Sequence, residues 1–177
     1  MKNGVLITFT AVLFALAAPN ANAESIYAIF NGKSYHIDSS YDWNEQNTGL
    51  GIEYEFSQKG AWKKVAMANG FRDSMNEMSY MAGFGLHRRI YETERFAGLY
   101  VYAGLNAFLM TRDDFNNGRP FPGILPSLSV GNQRFGLNLT YLPSGAIEEL
   151  TNSKFIDPTI EGIVFLQLKV SLDQLLP

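Results

Sequence analysis

No cysteine occurs among the 177 residues, so no disulfide braces the fold and no thiolate serves as metal ligand or nucleophile. Histidine is nearly as scarce, at two, and no pair has zinc-ligand spacing. A glycine-rich phosphate loop is missing too. The formal net charge is −3 with no basic stripe, which speaks against nucleic acid as a partner. Long apolar runs are absent after the first residues. The one at Val5 to Ala18 is preceded by Lys2 and followed by Pro19 and Ala21-Asn22-Ala23. It falls short of the ~20 residues a membrane helix needs, and its flanks fit a secretory signal peptide cut after Ala23. Residues 1–23 are therefore expected to be a signal segment and residues 24–177 one mature domain. An exported chain without disulfides must be held by its core, a metal or a membrane.

Aromatics are what the chain has in excess, at 14% with 13 Phe and 9 Tyr, alongside 16 Gly. Mean hydropathy is only −0.07. Outer-membrane barrels combine these features because inward-facing polar residues dilute the lipid-facing ones. Period-two alternation supports strands. Leu50, Ile52, Tyr54 and Phe56 share a face opposite Gly51, Glu53 and Glu55. Leu99, Val101, Ala103, Leu105, Ala107 and Leu109 oppose Gly98, Tyr100, Tyr102, Gly104 and Asn106. Two later runs, 135–141 and 164–170, alternate in the same way.

Eight strands are expected, at 25–37, 48–57, 62–71, 78–90, 95–109, 123–132, 134–142 and 160–171. The breaks at 58–60, 91–94 and 132–133 are short, while those at 39–47, 72–77, 110–122 and 143–158 are long and polar. An even strand number with long loops at one end predicts an all-β fold, an eight-stranded antiparallel transmembrane β-barrel. A soluble eight-stranded calyx alternates too. The loop asymmetry favours the bilayer, as do Tyr54, Phe56, Tyr80, Tyr91, Phe96 and Tyr141 near strand ends, which suit interfacial girdles.

Strand one then ends at the long-loop rim near His36, and strand three ends there near Asp73 and Ser74. Imidazole, carboxylate and hydroxyl at one mouth are suited to acyl transfer from an ester. Asp-Ser is also an ordinary turn dipeptide, and spacing alone leaves that reading open. His87, beside Arg88 and Arg89 near a short turn, reads as a surface residue. Asp113-Asp114 reads as a solvated pair or a cation holder.

A resemblance narrows the choice. Phe71-Arg72-Asp73-Ser74-Met75-Asn76 and Ala82-Gly83-Phe84-Gly85 resemble a stretch of the lipid A palmitoyltransferase (PagP) family. The likeness continues at Thr111-Arg112-Asp113-Asp114-Phe115-Asn116, Ile124 to Gly131, Thr140 to Pro143, and Tyr35-His36. The family comprises outer-membrane barrels that move a palmitoyl chain from a glycerophospholipid donor to a lipid A acceptor. The resemblance implies His36, Asp73 and Ser74 as catalytic residues and Gly85 as the residue setting acyl-cavity depth. It also implies Pro126 and Pro143 at lateral lipid openings, and substrate contacts at Arg112 and Asp113. No cofactor or metal is implied, and a monomer is expected. Met75 and Met78 stand where the family has tryptophan, Glu24 leads almost directly into the first strand where the family has an amphipathic helix, and Leu175-Leu176-Pro177 replaces a terminal aromatic. The alternative function is a non-enzymatic barrel for adhesion or envelope structure, and a third is a hydrolase using water as acceptor.

Overall fold

The structure is a computed structural model that describes residues 23–58, 60–113, 115–145 and 159–173. The expected signal segment, apart from Ala23, and the C-terminal Leu175-Leu176-Pro177 lie outside those residues. Eight antiparallel strands close into a barrel in sequence order. They are β1 (Ala23–Ile37), β2 (Gln46–Phe56), β3 (Trp62–Arg72), β4 (Met78–Glu92), β5 (Tyr100–Thr111), β6 (Phe121–Gly131), β7 (Phe135–Pro143) and β8 (Gly162–Ser171). Pairing of β1 with β8, from Tyr27↔Ser171 to Ile37↔Gly162, completes the ring. Closure pairs every strand with two neighbours, which a bilayer demands. At 9 to 15 residues, the strands are long enough to cross one.

The period-two faces fall as expected, with the apolar face outward. Leu50, Phe84, Leu105, Leu109, Ile124 and Leu137 are exposed on the exterior. Their partners Glu53, Glu55, Asn106 and Asn138 are buried inside. Tyr35, Tyr80 and Tyr141 are exposed toward the long-loop rim, and Trp62, Tyr91 and Phe96 toward the short-turn rim. This is the exterior of a transmembrane barrel rather than of a soluble calyx.

Two expectations need correction. The fifth strand starts at Tyr100, not residue 95. Arg95–Gly98 form a tight helical segment in which Phe96 and Ala97 have positive φ of 56 and 60°. This segment turns the chain before the ladder begins, with Thr93 N–H donating to Leu99 O at 2.9 Å. His87 is not a surface residue. It follows Gly83 and Gly85 in the inward phase of β4, with Phe84, Leu86 and Arg88 outward, so His87 turns into the bore, where it is buried.

Inside, the bore divides into two halves. The half toward the short turns is packed with charge. Lys169 Nζ donates to Glu53 Oε1 at 2.9 Å and to Glu55 Oε1 at 2.6 Å, and Lys63 Nζ donates to Glu55 Oε1 at 2.7 Å. Asn138 Nδ2 donates to Glu53 Oε2 at 3.1 Å. The ammonium groups lie over aromatic faces, Lys63 at 3.9 Å from the Tyr102 centroid and Lys169 at 4.3 Å from that of Tyr27. Two cations and two carboxylates thus neutralise one another where water is excluded, as buried charge requires. Toward the long loops many inward residues are apolar or glycine, among them Met81, Gly83, Phe108, Gly123, Leu125 and Phe165, with Asn47, Asn69 and Ser79 buried between them. Of the apolar and glycine residues named, all but Gly123 are half-exposed. These side chains meet solvent through the bore or its openings, whereas the charged cluster is buried, so this is the more hollow half of the two.

The wall is not sealed all the way up. The β6–β7 ladder stops at Ser127↔Thr140, although β6 begins at Phe121 and β7 ends at Pro143. Pro126 lies one residue beyond the last pair and Pro143 at the strand end. Proline cannot donate to a ladder, so the seam stays open beside the hollow half.

Candidate active site

Simple alternation along β1 would aim His36 at the lipid. Tyr27, Ile29 and Asn31 point inward, so even-numbered residues should face out. A bulge at Gly32, between Asn31 and Lys33, adds a residue and reverses the phase. Ser34 and His36 then turn inward and are buried, while Tyr35 is 62% exposed. Glycine suits the bulge, because a Cβ there would lie 3.2 Å from Leu166 O.

His36 Nε2 and Ser74 Oγ are 2.9 Å apart. The histidine comes from the end of β1 and the serine from the β3–β4 loop, so the two predicted residues meet across the mouth of the hollow half. Trp43 stacks on the imidazole, with centroids 5.1 Å apart and planes inclined by 13°. That contact fixes the ring plane. The β1–β2 loop carrying Trp43 is clipped to the β3–β4 loop by Asn44. Its N–H donates to Ser74 O at 3.0 Å, and its Nδ2 donates to Asp73 O at 2.8 Å.

Asp73 is adjacent but differently engaged. Its Oδ1 accepts from the N–H groups of Met75 at 2.9 Å and Glu77 at 3.1 Å. Oδ2 accepts from Ser79 Oγ at 2.8 Å and lies 3.5 Å from Arg112 Nε. This Asx-type turn, helped by Asn76 at φ 63°, holds the loop that presents Ser74. Replacing Ser79 by alanine should cost ~1 kcal/mol, measurable as an earlier unfolding midpoint in denaturant. The carboxylate facing the His36 ring is Glu45, with Oε1 3.8 Å from Nδ1.

The remaining predicted residues are spread along the barrel. Arg112 joins the mouth through Asp73, whereas Asp113 is exposed on the β5–β6 connection. Asp114 lies outside the described residues. Gly85 is buried deep in the bore, where a Cβ would come within 2.2 Å of Asn106 Oδ1 and 2.6 Å of Val65 Cγ2. His87 Nε2 lies 2.8 Å from Asn106 Oδ1 and 3.2 Å from Ser127 Oγ. Together these groups floor the hollow half just above the charged cluster. Among the described residues, no group of three or more His, Cys, Asp or Glu is placed to hold a metal.

Trp43, Glu45, Ser79 and Asn106 are absent from the predicted site. Only Trp43 left a trace in the sequence, being one of two tryptophans and set in a polar loop, where so large an apolar ring needs a partner.

Residues 21–155 match the model of the family described as antimicrobial peptide resistance and lipid A acylation protein PagP. The chain belongs to the PagP family. It is similar to the lipid A acyltransferase PagP of Bordetella pertussis, 32% identical over 67% of this chain and 64% of that protein. The protein of the same name from Methylobacillus flagellatus is 29% identical over 63% of this chain and 62% of its own length. That of Laribacter hongkongensis is 31% identical over 65% and 54%. The chain thus spans a little under two thirds of the length of the relatives it matches. The match places His36, Ser74 and the β6–β7 prolines within the shared region.

Proposed function

We propose that this protein is a lipid A acyltransferase of the bacterial outer membrane, moving a palmitoyl or similar chain from a glycerophospholipid to a lipid A hydroxyl. The observation that carries the reading is the His36–Ser74 contact of 2.9 Å at the mouth of a less tightly filled, largely apolar half-bore that ends on a buried charged cluster. A catalytic pair on a solvent-filled cleft would suit many esters. This one sits over a space that suits a fatty chain.

The donor enters sideways through the unpaired β6–β7 segment beside Pro126 and Pro143, which spares its tail a passage through water. The chain lies down the bore toward Gly85 and leaves its ester at the rim. His36 Nε2 takes the proton from the acceptor hydroxyl, whose oxygen attacks the ester carbonyl. The same proton then passes to the departing lysophospholipid oxygen, so the imidazole ends neutral. Ser74 either donates to the developing oxyanion in this single displacement, or it reacts first. In that case His36 takes its proton, Oγ attacks the ester carbonyl, and the lysophospholipid leaves with that proton. The acceptor hydroxyl then attacks the acyl-serine, its proton passing through His36 back to Oγ. Asp73 shapes the loop that carries Ser74 and holds Arg112 at the rim, where a cation suits phosphate groups of donor or acceptor. Asp113 lies near enough in sequence to act on the same headgroups. The working unit is a monomer, since one chain completes both barrel and site.

The relatives' printed name supports lipid A as acceptor. The hollow half weighs against a purely structural or adhesive barrel. Lipid A recovered from cells making the chain should carry an added acyl group, read by mass spectrometry. Free fatty acid without acylated lipid A would mean a hydrolase instead.

Cavity depth gives a second expected result. A Cβ at Gly85 comes within 2.2 Å of Asn106 Oδ1 and 2.6 Å of Val65 Cγ2, so Gly85→Met must displace these groups and extend up the bore, which raises the floor. The preferred acyl chain should shorten by several carbons, each methylene mismatch costing ~1–3 kcal/mol. Competition between donors of different chain length, scored by product mass, measures the shift. Unchanged preference would place the acyl terminus elsewhere.

A further inference from the structure

We propose that Glu45 is the positioning carboxylate for His36, although the carboxylate that the sequence sets beside Ser74 is Asp73. The inference rests on the acyl-transfer reading above, but its geometry stands apart from any substrate. His36 Nδ1 is a fully buried ring nitrogen with no hydrogen-bond partner. The ring's other nitrogen is taken up by Ser74 at 2.9 Å. When Nε2 accepts from the hydroxyl, Nδ1 carries the proton, and a buried N–H without an acceptor is costly. Glu45 Oε1 lies 3.8 Å from that atom and 3.5 Å from the His36 backbone N–H, which donates to it.

Asp73 does not fill this place. Both of its oxygens are occupied, by two backbone N–H groups, Ser79 and Arg112. Glu45, by contrast, has its backbone fixed and its carboxylate available. Ser34 N–H donates to its carbonyl at 3.0 Å. Among the described residues its Oε2 is paired with Lys33 Nζ, at 3.8 Å, and the side chain is 34% exposed. A displacement of the carboxylate by about an ångström from its 3.8 Å separation makes a charge-assisted hydrogen bond of about 2.8 Å to Nδ1. That closure is favoured most when His36 has taken up a proton, the moment at which catalysis needs a counter-charge. The neighbouring residue in the same loop reinforces the role. Trp43 stacks on the ring, so Trp43 and Glu45 set the plane and the tautomer of one imidazole.

The full chain in detergent micelles has only two imidazoles, His36 and His87, so ring 15N resonances are assignable with a His87→Gln variant. The wild type should show His36 protonated at Nδ1 with Nε2 free. Glu45→Leu should move the proton to Nε2 in a substantial fraction of molecules, whereas Asp73→Asn should leave the tautomer unchanged. In lipid A acylation assays, Glu45→Gln should lower kcat by ~10–1,000-fold with little change in KM, and Glu45→Asp should recover part of it. An unaltered tautomer in Glu45→Leu overturns the proposal, as does a tautomer that follows Asp73→Asn instead. Absence of lipid A acylation by the wild type would defeat the acyltransferase reading alone, since the nitrogen spectra decide the Glu45 assignment without substrate.

Discussion

His36→Ala is expected to reduce acyl transfer from phospholipid to lipid A by ~10²–10⁴-fold, leaving the denaturant midpoint of the barrel nearly unmoved. The imidazole alone among the mouth residues pairs a neutral base with the Ser74 hydroxyl at 2.9 Å. Its loss removes the proton acceptor without opening the ladder, because β1 keeps its pairing to β2 and β8. Ser74→Ala should also be impaired, and its size separates two roles. A loss of ~10²–10³-fold fits an oxyanion donor. Near-complete loss, with a covalent acyl adduct trapped on the wild-type serine, fits a nucleophile. Purified protein in mixed micelles with a radiolabelled donor provides the rates. Full activity of His36→Ala would remove the base from the scheme.

The second large effect lies at the other end of the bore. Lys169→Met should destabilise the barrel by ~3–5 kcal/mol, the usual consequence of stranding a buried charge. Lys169 is 1% exposed and is bonded to both Glu53 and Glu55. Its removal leaves two carboxylates with Lys63 as the one remaining ammonium of the cluster. Reversible unfolding in guanidinium would register this as a lower midpoint with an unchanged slope. Replacing all four charged side chains by apolar residues of similar volume should restore most of the loss, since a neutral packed plug has no desolvation to offset. A Lys169→Met barrel as stable as the parent would mean that water reaches the lower bore.

Much of the architecture was legible because a barrel repeats one simple rule. Alternation at 50–56 and 99–109 gave the faces correctly, and loop lengths gave the closing order. Errors came where backbone geometry breaks the rule. Phe96 and Ala97 adopt left-handed φ without glycine at either position, so nothing in the local composition marked the end of the turn. The Gly32 bulge was likewise silent, yet it decides that His36 faces the bore. His87 was misplaced because the adjacent arginines and the nearby turn outweighed its phase, which is that of Gly83 and Gly85. The charged cluster was invisible as a unit: Glu53 and Glu55 read as polar-face residues of one strand, and nothing joined them to Lys63 and Lys169 on two others. Glu45 and Trp43 could not be paired with His36 from sequence, since the loop carrying them has no period to fix its direction.

Mass spectrometry of lipid A from cells producing the wild-type chain and its Ser74→Ala variant is the most direct measurement of the central assignment, that an acyl chain housed in the upper bore is handed to lipid A at the His36–Ser74 mouth. The account predicts a lipid A species heavier by one fatty acyl group with the wild type and its marked depletion with the variant, both proteins being equally abundant in the membrane. Identical spectra from correctly inserted wild type and from cells lacking the chain would contradict it.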